Sequence, residues 1–143
     1  TLLLMILGEV AAAVKETLNN PPPALEDDPV NRLRWLLETH VYLTETMQPW
    51  FVFAYMEAKA FSREGRELAV RSELATEALI AFALADGVAQ NVFKVDDIDL
   101  TAAIIKPLLQ DWYVKRGKYR RRGVSPEQYV RAITSFVEAA LAR

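Results

Sequence analysis

Cysteine is absent from this 143-residue chain, and His40 is its single histidine. The first absence excludes a disulfide framework, thiolate metal sites and a cysteine nucleophile, and it fits a reducing, cytoplasmic setting. The second leaves a Ser–His–Asp triad nowhere to form except around His40. It also removes the two Glu-x-x-His motifs with which helical bundles hold paired metal ions, so no metal site is expected. Glycine is scarce: Gly65, Gly87, Gly117 and Gly123 each stand alone, and no phosphate-cradling loop is present. No nucleophile–base pair stands out, so neither an enzyme nor a cofactor is expected. No stretch alternates strictly between apolar and polar residues, which removes the strand signature. A formal net charge of -2 gives the whole chain no bias toward nucleic acid or anionic membrane.

What is present reads as helix throughout. Alanine, leucine and glutamate are plentiful, and 52% of residues are hydrophobic. The length suits one domain over residues 1–143 with a core of its own. The opening run from Thr1 to Val14 is apolar, but Glu9 interrupts it and no basic segment precedes it. A membrane span needs about 20 apolar residues, so a buried helix is the better reading. The chain starts in mid-pattern at Leu2-Leu3-Leu4 without a methionine, which raises the expectation of further sequence upstream.

The first helix, Leu2 to Leu18, stops at Asn19-Asn20-Pro21-Pro22-Pro23. Asp28 caps the second, with Pro29 in its first turn, and the helix continues to about Thr46. Pro49 separates it from a short aromatic helix, Trp50-Phe51-Val52-Phe53-Ala54-Tyr55-Met56. Ser62 caps the fourth and longest, running to about Phe93. Its segment Ala78 to Ala85 is eight consecutive apolar residues, which cover every direction around the axis and predict a central helix. Asp99 is the expected cap of a long fifth helix, kinked at Pro107 and ending near Arg122. Gly123 suits the left-handed position that follows. Ser125 and Gln128 then form a capping box with Pro126 between them.

Few polar residues interrupt the apolar surfaces. Asp86 and Gln90 lie one turn apart on the long helix, just after its fully apolar part. They are read either as the polar end of a ligand pocket or as groups bonded to a neighbouring helix. His40 is read as a structural residue or a pH-sensitive one. Trp35, Trp50, Phe53 and Phe82, with Phe51 and Tyr55, form the core or the wall of an apolar pocket; spacing does not separate the two.

Six of the eight residues from Lys115 to Arg122 are Lys or Arg, with Tyr119 among them. Such a run complements a helix C-terminus, or it forms a small RNA-binding surface. Helix geometry spreads the charges around the axis, which favours the first.

The two closing helices carry Gln110-Asp111-Trp112-Tyr113-Val114-Lys115-Arg116, then Lys118-Tyr119-Arg120-Arg121-Arg122-Gly123, then Ser125-Pro126-Glu127-Gln128. Together with the long apolar helix before them, they resemble the C-terminal half of TetR-family transcriptional regulators. The likeness covers the whole chain in layout and is specific from Leu108 to Phe136. It implies an all-α regulatory domain of about six helices, whose last two pair with a second copy as a four-helix bundle. The expected dimer face is Leu108, Trp112, Tyr129, Ile133, Phe136, Val137 and Ala140.

The resemblance also implies a ligand cavity, to which Trp35, His40, Trp50, Phe53, Phe82, Asp86 and Gln90 are assigned. Its effector would be hydrophobic: a fatty acyl compound, an aromatic or a drug-like molecule. The helix-turn-helix head of such regulators is missing from this sequence, so operator DNA is expected to be touched only through that absent part. Two readings from other classes stand beside this one. One is a helical adaptor that takes a partner helix on its aromatic segment; the other is the RNA-binding module.

Overall fold

The computed structural model describes residues 2–143, apart from the side chains of residues 54, 55, 58, 59 and 61; all regular structure among them is helical. Tyr55, expected in the aromatic cluster, therefore lies outside the described side chains. The elements are α1 (Leu2–Leu18), α2 (Pro29–Met47), α3 (Trp50–Phe61), α4 (Arg63–Ala89), α5 (Ile98–Val114), α6 (Arg116–Arg121) and α7 (Pro126–Leu141). A single 3-10 turn, Pro23–Leu25, follows the proline run. No helix among the described residues is long and apolar enough to cross a membrane.

Local chemistry explains where most helices start. The Asp28 carboxylate accepts from the Asn31 amide, and the Ser62 hydroxyl accepts from Gly65. Ser125 and Gln128 satisfy each other's backbone amides in the expected box. Each cap supplies an acceptor to an amide that has no partner within the first turn. The cap of α5 is Asp97, not Asp99: its side chain accepts from Leu100, and the helix starts one residue later. Asp99 instead lies in the first turn, where its charge meets the positive end of the helix dipole.

α4 is the central helix, packed against α1, α2, α3 and α5. Its all-round apolar segment is not covered all round. Ile80, Ala83 and Leu84 are buried, while Ala78, Phe82 and Ala85 face outward. Alanine costs little to expose, and the Arg32 guanidinium lies 5.4 Å from the centre of the Phe82 ring. The helix closes at Ala89, with Asn91 in the left-handed region at φ 60°. The amides of Val92 and Phe93 both donate to the Gly87 carbonyl, which folds the Phe93 ring onto Gly87.

The expected fifth helix divides in two. Lys115, at φ -105° and ψ 30°, interrupts it between α5 and α6. Lys118 and Tyr119 then fold back to donate to the Asp111 carboxylate. α7 packs on α2 and α5. The Tyr129 hydroxyl donates to the Leu108 carbonyl at 2.5 Å, and the Lys94 amide to Leu141 at 2.9 Å. These two bonds, one at each end of α7, fix it antiparallel to α5. The main core joins α1, α2, α4, α5 and α7 through Leu18, Leu37, Leu84, Leu109, Trp112 and Val137.

Candidate functional site

Where α1 crosses the bundle, its inner face is made of Leu7, Val10, Ala11 and Val14. Opposite stand His40 of α2, Ser72, Glu73 and Thr76 of α4, and Lys106 and Tyr113 of α5. Phe51 of α3 closes one end. The space between them is small, about 40 Å³, enough for a polar head group of a few atoms. It adjoins a groove between α1 and α4 of about 350 Å³, within the range that small-molecule sites occupy, with which it shares Ala11, Val14, Ser72 and Thr76. Apolar walls surrounding a few converging polar groups are the usual composition of a ligand site.

Those polar groups are unusual for a bundle interior. Lys106 is only 3% exposed and forms no ion pair with the described residues. Burial lowers its pKa from 10.5 to about 8; Glu73 and Glu77 on α4 pull the other way and only partly offset it. Glu73 is itself held by a hydrogen bond from the Gln110 amide at 2.9 Å. His40 is buried, and its Nδ1 lacks a hydrogen-bond partner among the described residues. Burial first, and the Lys106 charge second, hold its pKa well below the usual 6.5, so the ring is neutral. Its ring lies 6.3 Å from Phe51 and 6.3 Å from Tyr113, whose own rings meet edge to face at 4.5 Å.

Of the residues assigned to ligand binding from sequence, the structure brings His40 alone to this cavity. Asp86 is engaged elsewhere: it pairs with Arg32 at 2.5 Å, and the Gln90 amide donates to the Asp27 carbonyl. Both bonds tie the end of α4 to the start of α2, which is the neighbour-bonded alternative for these two residues. Trp35 packs half-buried against the main core. Trp50 and Phe53 are exposed, the first beside Met5 and Met47, and Phe82 lines a separate groove with Leu36 and Leu79.

Lys106 was missed, although the pattern carries a signal. It stands at helical spacing with Ala102, Leu109 and Tyr113, so the charge interrupts a buried stripe.

The expected dimer face also divides. Trp112, Tyr129, Ile133 and Val137 point into the protomer's own core, because the inward stripe of α7 is Tyr129, Ile133, Val137 and Leu141. Leu108 is half-buried beside them. Phe136 and Ala140 face outward, Phe136 at 68% exposure. The basic run is partly consumed inside the molecule. Arg116 grips Glu45 through two nitrogens and lies 4.4 Å from the Trp112 ring, and Lys118 pairs with Asp111. Arg120, Arg121 and Arg122 remain exposed.

A small cavity that opens into a larger groove beside the first helix gives this all-α domain a concave surface with a few converging polar groups. A family model described as the tetracycline repressor-like C-terminal domain matches residues 26–139, and the chain belongs to that family. Membership places it among regulatory domains that bind ligands and dimerise. No curated protein and no solved structure gave a match.

Proposed function

We propose that this chain is the effector-sensing, homodimerising body of a TetR-family transcriptional repressor, and that a hydrophobic small molecule occupies the groove between α1 and α4 together with the cavity that opens from it beside α5. The observation that carries this reading is the cavity with its adjoining groove, apolar along α1, with the buried His40 and Lys106 side chains at its inner end beside Ser72, Glu73 and Thr76. α1 supplies its movable wall. It packs on α2, α3 and α4, and the same face that packs there lines the cavity. A ligand that fits only one placement of α1 shifts the balance between two placements. In a repressor of this family, that shift would be passed to a DNA-binding head joined to α1 and would release the operator.

The proposed pairing surface is the outer side of α5 and α7. Leu100, Ile104 and Phe136 are all exposed there. Leu100 and Ile104 lie one turn apart on α5, and the antiparallel register set by Tyr129 on Leu108 puts Phe136 of α7 at their level, with the exposed Ala132 and Ala140 leaving room for a second helix pair. Trp112, Tyr129, Ile133 and Val137 support that surface from behind.

A neutral solvatochromic dye such as Nile red tests the cavity. Ala11 lines both the cavity and the groove beside it, and Ala11→Phe fills the junction. Dye affinity is expected to fall about tenfold or more, equivalent to 1.4 kcal/mol, while helical content is retained. Unchanged affinity would move the ligand site off this cavity.

A further inference from the structure

We propose that the effector is an amphipathic carboxylic acid, whose carboxylate sits at the inner end of the cavity on the Lys106 ammonium and the His40 ring, with its apolar part directed along α1 toward the groove. This rests on the cavity reading above and names the chemical class that the cavity selects.

The argument starts from the cation. Lys106 is almost fully buried, yet no carboxylate of the described residues is in ion-pair contact with it. Glu73 of α4, the carboxylate with the strongest pull on it, accepts a hydrogen bond from Gln110 instead. A buried charge without a contacting partner is costly, and most of the cost of an ion pair lies in removing its members from water. Here the folded chain has already removed most of the cation's water. An incoming carboxylate therefore loses only its own hydration and gains a partner held in place by α5.

His40 adds a second polar contact. Its buried Nδ1 has no partner, and a neutral imidazole can present an N–H to a carboxylate oxygen. The α1 side of the wall fits the apolar part of such a molecule, while Ser72, Glu73 and Thr76 of α4 stand opposite. From α1 the cavity receives only Leu7, Val10, Ala11 and Val14, none of them charged. Lys15 and Arg71 flank the adjoining groove, so the way in is lined by cations and favours an approaching anion.

The charged and titratable groups around Lys106 are few. Glu73 and Glu77 face it from α4, His40 from α2, and Tyr113 shares the cavity from α5. A carboxylate binds when Lys106 carries its proton. Its affinity is therefore greatest below the free lysine's pKa of about 8, and declines as pH rises above it. An uncharged ligand has no such dependence.

The test compares decanoate, below its micellar concentration, with 1-decanol by titration calorimetry on the full chain, the alcohol serving as a probe of the same length without charge. At pH 7 decanoate is expected to bind at least about thirtyfold more tightly than the alcohol. Lys106→Met should abolish that preference while leaving alcohol binding in place, and Lys106→Arg should retain part of it. A pH series on the unaltered protein gives a second reading that needs no variant to fold: decanoate affinity falls above pH 8, and decanol affinity does not. Equal binding of acid and alcohol, or a preference that survives Lys106→Met, would overturn the carboxylate assignment and leave the apolar cavity standing. Binding of neither probe, together with no dye binding, would overturn both.

Discussion

Gly87 has no space for a side chain: a Cβ there would stand 2.0 Å from Cδ2 of Phe93. Phe93 is itself buried and held by its amide on the Gly87 carbonyl, so it has nowhere to retreat. Gly87→Ala is expected to destabilise the fold by about 1–3 kcal/mol, measured by denaturant titration. Lys106 affects stability in the opposite sense. Its pKa of about 8 lies below the free value of 10.5, so between these limits the unfolded chain binds more protons. The ligand-free protein should therefore gain stability from this group as pH rises from 8 to 10.5, and below pH 8 it bears the full cost. Lys106→Met should stabilise the free protein by about 1–3 kcal/mol at pH 7 and remove that slope. A variant less stable than the parent at pH 7 would show that Glu73 and Glu77 compensate the charge fully. At this scale the sequence was only partly legible. Asp86 and Gln90 looked like pocket residues because nothing local announces that Arg32, 54 positions away, pairs with Asp86. The interrupted stripe around Lys106 was visible, but a single lysine on a helix is usually solvated at its tip.

Helix starts are local events, and they were the most legible part of the chain. A serine, a proline and a glutamine at fixed spacing determine where α7 begins, whatever packs on it later. Ser125→Ala should cost about 1 kcal/mol, read as a lowered thermal midpoint. It should leave effector binding untouched, since α7 does not line the cavity. The break between α5 and α6 was not legible. Nothing at Lys115 forbids a helix; the interruption is held by Lys118 and Tyr119 folding back onto Asp111 and by Arg116 reaching Glu45 on α2. The face of α7 was misread for a related reason. Its apolar residues form two stripes, and which one turns inward is decided by Trp112 and Leu109 of α5, not by α7 itself. Tyr129, Ile133 and Val137 thus belong to the core, and Phe136 to the surface.

The whole molecule combines a cavity bounded by its first helix with an exposed apolar surface on its last ones. The helical class and the order of elements followed from composition, caps and the proline run, and the family match agrees with them. The place of the cavity did not follow, because it is formed by side chains from five helices that no sequence interval links. The two features are joined mechanically through α5. Its inner side carries Lys106 and Tyr113, and its outer side carries Leu100 and Ile104. A ligand on one side is therefore one helix diameter from the proposed subunit contact on the other. That contact is the point on which the regulator reading stands, and light scattering measures it directly. The chain of 16.2 kDa should have about twice that mass in solution, and Phe136→Asp should reduce it to the monomer while the helical spectrum is kept, because the substitution buries an unpaired charge in the seam. A monomer at every concentration, or a dimer indifferent to Phe136→Asp, would contradict pairing across α5 and α7.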